Sequence, residues 1–579
     1  MEVGQKNEVI ATEASADYQF ITAVISEDKG GGVGRAEGEG EYRLPTDEER
    51  RSLSEVCDTV PWSAYALCIF TAIQWGASVG AGTVFWNYLQ FPLPKDGPGT
   101  GASPAGTQQT PGALGFGLRN TNIIYTSIEF LAPFLRLFTA WLADTKLGRF
   151  KIIVLASFIT CTYMILLMVS AIPALLRANR TKGPFMLAYC LRVLSTAFFG
   201  PAISPLILDQ YRPPHDYVRV LANGQAVIVS RSATLSRMQW LFFGIGELGP
   251  FISIGTTWAE KKVGFWLAFL VPCLISFCLP AILLAIRHQT IRVSPDGKEF
   301  SDFFSVLIIV LKREKFRIFY RSDAWDAAKP SVLRSRGVTV LRKKAITWTD
   351  HYVEQVQHTV SACKIFLVFI LYNLSGGGIG VVSSSQASSM ITNGVPNDLF
   401  YNLGNLTTTI CMPLFVFGLF PFLRRHGIRY GRIARMTTGL ICTSLSSLVG
   451  SIIQWRIYQT SPCGYHATNC ELGSGVAPLS IWIQSPIYVL EGFAGILVYT
   501  AAYEVAYLQA PSHMKSAALA VLLFVSIFSN AISVACAPAI SDPNLIWVWA
   551  VPGIANLVQT AYLYINYRHL DEETMTRNN

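Results

Sequence analysis

Charge is what this chain has least of. Asp, Glu, Lys and Arg make up 14% of its 579 residues, against 51% hydrophobic residues and a mean hydropathy of +0.37. Soluble domains carry about 25% charged residues, so the polar surface needed to coat several water-soluble domains is missing. Disorder, collagen, a coiled coil and a disulfide scaffold are excluded as the main class. Histidine is scarce, 8 in all, and most lie in loops or tails. There is no HExxH, no GxSxG and no Walker loop, so a non-enzyme is expected. The 12 cysteines are scattered, mostly in apolar segments and without a CxxC, which argues against a zinc or redox site; no metal and no cofactor is expected. No basic segment followed by an apolar stretch opens the chain, so no cleavable signal peptide is expected.

Long apolar runs are what the chain has. Stretches of about 20 residues, the length needed to cross ~30 Å of hydrocarbon, fall at 62–90, 120–143, 151–175, 185–208, 237–257 and 264–286. After a polar gap come 363–385, 401–423, 432–454, 480–507, 516–538 and 545–566. The runs are continuous and not alternating, which rules out a β-barrel. The reading is an all-α polytopic membrane protein with about twelve transmembrane helices in two six-helix halves. The expected divisions are a polar, disordered tail over 1–58, a first half over 59–286, a basic linker over 287–362, a second half over 363–566 and a short tail over 567–579.

Lys and Arg exceed Asp and Glu, 46 against 37, and the excess sits in particular loops, so it reports orientation and not nucleic acid. One set of loops holds Lys146, Arg149, Lys151, Arg212, Arg219, Arg231, Arg424, Arg425, Arg429, Arg432 and Arg435. The opposite set holds Lys95 and Arg456, with Arg177, Arg180 and Lys182 dissenting. The balance places both termini and the linker in the cytosol, with the plasma membrane as the expected location. In the linker, Phe303, Phe304, Leu307, Ile308 and Leu311 make an amphipathic helix expected along the inner membrane surface; a plain basic linker is the alternative. Cys463 and Cys470 share one outer loop, where oxidation is permitted, so a disulfide is expected. Asn179-Arg180-Thr181 is a glycosylation sequon on the same side, close to the membrane.

The six-plus-six layout with a basic central segment fits a major facilitator fold. Asp144-Thr145-Lys146-Leu147-Gly148-Arg149 joins spans two and three, and its glycine permits a tight turn while acid and arginine can clamp helix ends. Further stretches thread loops as well as spans. They are Asn87 to Pro94, Pro111 to Gly115, Ala143 to Lys151, Ser204 to Ile207 with Asp209-Gln210-Tyr211, Val263 to Ala268, Ala328 to Arg334, Gly394 to Asp398, Pro462 to Tyr465 and Arg568 to Asp571. On these the chain resembles the proton-dependent oligopeptide transporter family, in its fungal branch, over nearly everything after residue 58. The resemblance implies a secondary transporter of small peptides working by alternating access.

The residues that carry that family's chemistry are absent. The first-span E-x-x-E-R positions are Thr71, Gln74 and Trp75; the fourth-span lysine position is Gly200; the tenth-span glutamate position is Gly495; the polar stretch of span seven is Gly376-Gly377-Gly378. A zwitterionic peptide needs fixed counter-charges, and a proton couple needs a group that titrates. The charges left within the spans are therefore the substrate or coupling candidates: Glu129, Arg136, Arg192, Glu247 and Glu491. One reading is relocation, with Arg192 for the lost lysine, Glu491 for the lost glutamate and Glu247 or Glu129 for the lost proton acceptors. The other is structural pairing, for example Arg136 with Glu247. Glu129 and Arg136, seven residues apart on one face, lie about 10.5 Å apart, too far to pair directly. Asp144, Arg149, Asp209 and Glu504 are expected to be structural or gating. Trp75, Trp86, Tyr125, Tyr372 and Tyr499 either line a cavity or pack.

The function expected is a transporter of small peptides with weak or no proton coupling, its partners a short-peptide or small-molecule substrate and the lipid bilayer, acting as a monomer. Import or export of a peptide-like or unrelated metabolite, and a transport-inactive sensor, stay open.

Overall fold

The computed structural model describes residues 43–568 except 95–96, 105, 214, 221–223, 294–297, 315–321, 336–339, 342–343, 347, 380–381, 427–429, 471, 473–474 and 510–520. Residues 1–42 of the expected tail, 569–579 of the terminal tail, Lys95, Arg429 and parts of the linker lie outside the described residues.

The chain divides into two units. The smaller takes in Met1–Cys57 and Pro213–Arg231. In it Glu55–Val56 pairs in parallel with Ala226–Val229, which pairs antiparallel with Tyr217–Val220. A short helix, Asp47–Ser52, precedes the first strand, and Thr46 and Glu49 close a capping box on it. Residues 43–56 thus differ from the expected disorder: Thr46 and Glu49 satisfy the free helical N–H groups, and strand pairing takes up those of 55–56.

The larger unit, Asp58–Arg212 with Ser232–Asn579, is helical. Among the described residues nine helices are long and apolar enough to cross a membrane: Trp62–Gln90, Gly117–Leu147, Arg149–Ser170, Lys182–Leu208, Phe265–Ile286, Arg432–Thr460, Ile481–Tyr503, Val521–Ala539 and Leu545–Tyr567. Three broken, more polar helices complete twelve. Span five runs as Arg231–Gly246, Gly249–Phe251 and Ile252–Lys262. Span seven is Lys364–Ser375, then Ser383–Ser388 beyond the triple glycine. Span eight runs from Asn397–Phe400 through Tyr401–Pro413 to Phe420–Arg425.

Apolar side chains collect into a cluster near each end of each half. Spans one and five cross backbone to backbone: a Cβ on Gly249 would lie 1.9 Å from the Ala72 carbonyl oxygen, and one on Gly76 would lie 2.7 Å from that of Gly249. Small residues at such crossings let membrane helices approach where lipid gives no hydrophobic drive. The Cys463 and Cys470 sulfurs are bonded, with their Cα atoms 5.7 Å apart, in the loop that follows Arg432–Thr460. That side is called the disulfide face below, and the opposite side the basic face.

The linker helix is present as Lys298–Glu314, but protein covers part of its apolar face. Phe303, Val306 and Val310 are buried in one cluster with Trp325, Leu333, Val353 and Ile433, Leu307 is half-buried, and Ile308 and Leu311 are each 38% exposed; the Phe304 side chain lies outside the described part. Ser322–Ala328 and Asp350–Cys363 fold back over part of the stripe that was expected to lie along the membrane.

Candidate solute site between the two halves

In the first half the positions where charge is missing are neutral and saturated. Thr71 donates to the Leu67 carbonyl at 2.8 Å. Gln74 Nε2 donates to Thr160 Oγ1 at 3.0 Å, and Thr160 Oγ1 lies 2.6 Å from Ser195 Oγ. All four are buried. Trp75 packs edge-on to Phe242 at 5.6 Å and over Gly246, where a Cβ would sit 2.7 Å from its ring. A buried network with its donors and acceptors matched needs no ion.

One turn and more toward the disulfide face, Arg192 of span four pairs with Glu129 of span two, Nη1 to Oε1 2.9 Å. The guanidinium stands over the Phe85 and Tyr189 rings at 5.4 and 5.8 Å. Its Nε is buried and without a hydrogen-bond partner. The structure therefore corrects the pairing of Arg136 with Glu247. Glu247 lies in the break of span five between Gly246 and Gly249, and neither it nor Arg136 has an ion pair among the described residues. Asn530 of span eleven donates to the Glu129 carbonyl at 3.1 Å and so ties the second half to this segment.

In the second half Glu491 is held at the break in span seven. Gly377 N–H donates to Glu491 Oε1 at 2.8 Å and Ser446 Oγ at 3.2 Å. Gly377 has φ +78°, a left-handed conformation that turns this N–H out of the helix and toward the carboxylate. Beside Glu491 lies a cavity of about 270 Å³ whose lining includes Tyr372, Asn373, Tyr401, Asn405, Thr408 and Tyr488. Asn405 Nδ2 is buried without an acceptor. Tyr372 and Tyr499 meet edge-on at 5.7 Å.

Of the five candidate charges, Arg192 and Glu129 are joined in one ion pair, Glu491 lies at the cavity that Tyr401 also lines, and Glu247 and Arg136 have no ion pair among the described residues. Both vacated family positions open onto space: a Cβ on Gly200 or Gly495 would meet no atom within 4 Å. Tyr401, Asn405 and Tyr488 escaped the sequence reading. Their signal was polar side chains recurring through spans eight and ten, the periodicity of a wetted face.

At the basic face Arg149 Nη1 reaches Asp209 Oδ2 at 2.7 Å, joining the start of span three to the end of span four. Asp144 lies in the turn Ala143–Leu147 and Glu504 in the helix Ser485–Gln509; their side chains are outside the described part.

Known proteins match this chain over most of its length. A family model described as the POT family matches residues 150–552. An MFS-type transporter, ucsM, from an Acremonium species is 37% identical over 92% of this chain and 88% of its own. The peptide transporter PTR2 of Candida albicans is 33% identical over 92% of this chain and 86% of its own. Among solved structures, that of the transporter PepTSo superposes with a TM-score of 0.63 at 17% identity, covering 88% of this chain and 99% of that one.

Proposed function

The chain belongs to the POT family, and on that premise we propose that it moves small peptides across a membrane by alternating access between two six-helix halves, 59–286 and 363–566. The observation that carries the reading is the pair of unlike charges within the spans, Arg192 on the first half with a buried, unpartnered Nε and Glu491 on the second beside the cavity. A short peptide offers an ammonium and a carboxylate. Glu491, already fixed by Gly377 and Ser446, suits the ammonium. Arg192, with Glu129 on one nitrogen and a free buried Nε, has a donor left for the carboxylate. The tyrosines supply broad apolar walls that tolerate varied side chains. Thr71, Gln74 and Trp75 carry no titratable group, so no proton moves through the first span. The protein acts as a monomer in the plasma membrane, with both termini and the basic face in the cytosol and the disulfide face outside.

The test is uptake of labelled dipeptides in a host without its own peptide uptake, with and without a pH gradient. Removing a buried charged partner costs about 2–5 kcal/mol of binding. R192Q and E491Q should each abolish uptake while the amount at the cell surface stays unchanged. Undiminished uptake by both variants would overturn the zwitterion site and point to a neutral solute held by the tyrosines.

A further inference from the structure

A second set of buried charges lies away from this site, where the halves touch at the disulfide face. Asn87 on the last turn of span one, Glu260 on the last turn of span five, and Asn397 and Asp398 at the start of span eight are each at most 3% exposed. Asn87 Nδ2 stands 2.8 Å from each of Asn397 Oδ1, Glu260 Oε1 and Asp398 Oδ2. Asn397 Nδ2 returns a bond to Asn87 Oδ1 at 2.9 Å. Ser384 donates to the other Asp398 oxygen at 2.9 Å. Glu260 Oε2 is buried with no partner.

The hydrogens do not suffice. An amide nitrogen carries two. One of those on Asn87 belongs to the reciprocal pair with Asn397, which leaves one for two carboxylates. Turning the Asn87 amide over would set its carbonyl oxygen against both carboxyl groups and would demand still more hydrogens. Two carboxylates that share one buried site do not both stay ionised, because burial and like charge both oppose the second ionisation. Among the described residues Lys261 is the cation whose charge acts on Glu260, but it makes no ion pair there and donates to the Val395 carbonyl at 2.9 Å and to Thr392 at 3.3 Å. Tyr488 of span ten also feels Asp398, and Lys262 lies over Trp258. The remaining packed segment, Ser383–Ser388, brings no titratable group, and the Tyr88 hydroxyl of the first span faces Ser170 instead.

We propose that Glu260 and Asp398 form a proton-binding latch: one proton held between them lets the halves close at the disulfide face, and ionisation of both carboxyls parts them. The proposal rests on the alternating-access reading above. Asn87 and Glu260 belong to the first half, Ser384, Asn397 and Asp398 to the second, so every contact in the cluster that crosses between them breaks on opening. Once open, water solvates both groups, the proton leaves to that water, and repulsion between like charges opposes reclosure. Protons thus enter the transport cycle at the gate, although the first span has lost its acids.

The direction with pH follows from the hydrogens: the closed cluster holds one proton that the open, water-solvated carboxyls release, so closing takes up a proton. Acid therefore closes the disulfide face, and alkali releases it.

The experiment measures the gate directly and uses no substrate. Spin labels go on cysteines placed at Gln109 and Leu472, both exposed on the disulfide face, with the exposed cysteines Cys57, Cys190 and Cys278 changed to serine. The full chain is reconstituted in liposomes, and label-to-label distances are read by pulsed electron resonance between pH 5 and 8.5. A single short distance is expected in acid, with a longer population growing as pH rises, the short-to-long ratio falling about tenfold per pH unit past the midpoint. The E260Q/D398N double variant should show the short distance at every pH. D398N alone, which leaves Glu260 as the one titrating carboxyl of the cluster, should move the midpoint of the transition, and it serves if the double variant folds poorly. A distance distribution in the parent that does not change with pH would overturn the latch, as would a pH shift that survives in the double variant or a midpoint that D398N leaves in place. Failure of dipeptide uptake leaves this readout intact, so the latch and the peptide reading fail separately.

Discussion

Two of the positions at which this chain lacks the charge that the family resemblance implies are glycines. Gly200 and Gly495 could be placed from the spacing to Asp209 and along span ten, and the loss of charge there was legible in the sequence. What the sequence did not carry is the space beyond them, since no atom lies within 4 Å of a Cβ at either position. Gly495 is one turn from Glu491 on the same helix face, about 6 Å along the axis. A carboxylate grafted at Gly495 therefore reaches the same cavity. If Glu491 holds a substrate ammonium, uptake lost in E491Q should return at least about tenfold when G495E is added, which corresponds to about 1.4 kcal/mol of recovered interaction. Dipeptide uptake at matched surface expression checks this. No rescue, with both proteins at the membrane, would mean that Glu491 acts through its hold on Gly377 and not through the solute. The pairing of Arg192 with Glu129 was beyond sequence reasoning: both were singled out, but their meeting depends on how spans two and four rotate against each other.

Helices were legible where they are uniformly apolar and ambiguous where they work. The nine continuous spans follow from length and hydropathy alone. Spans five, seven and eight are shorter or more polar because Glu247, Asn373, Tyr401, Asn405 and Thr408 face the site or its approaches, and a wetted face dilutes the apolar run. The break in span seven shows the coupling of element to site. Gly377 and Gly378 both have positive φ, +78° and +79°, whereas Gly376 has φ −66°. A side chain at a left-handed position costs about 1–2 kcal/mol. G377A should therefore lower stability by about that amount and weaken substrate binding, because the N–H that holds Glu491 moves. G376A, where the backbone already suits alanine and the nearest neighbour to a Cβ is the Tyr372 oxygen at 3.8 Å, should leave both unchanged. Melting of the purified protein and the KM for dipeptide report on the two. Equal behaviour of both variants would show that the break, and not the backbone hydrogen bond, sets the site. The linker helix teaches the converse: its stripe was readable, but not that Ser322–Ala328 and Asp350–Cys363 would cover part of it.

Across the larger unit, direct hydrogen bonds between the halves gather at the disulfide face. Gln90 donates to Ser385 at 3.1 Å, Lys261 to the Val395 carbonyl at 2.9 Å, and Thr392 N–H to Gln108 at 3.2 Å, around the Glu260–Asp398 cluster. None of these pairs was legible, because each joins span or loop ends from different halves and no periodicity links them. Glu260 was not singled out at all, and Asp398 entered only as the end of the stretch Gly394 to Asp398. Orientation, by contrast, rests on a sum over the sequence, and the fold accounts for two of the three dissenting charges. Arg177 donates to the Pro98 carbonyl at 3.1 Å and Lys182 stands over the Phe116 ring at 5.4 Å, so both are engaged by the protein on the disulfide face. Lys146, Arg149, Lys151, Arg432 and Arg435 flank short loops on the other face, the position in which Lys and Arg hold a loop in the cytosol. A disulfide persists where the medium is oxidising, which agrees with the proposed placement of Cys463 and Cys470 outside. An impermeant maleimide added to intact cells should then label a cysteine placed at Leu472 and spare one placed at Ser335 in the linker, both of them exposed positions, in a background without the exposed native cysteines. Permeabilising the cells should make Ser335→Cys react as well. Labelling of Ser335→Cys in intact cells would invert the topology, and with it the side from which the latch takes its proton.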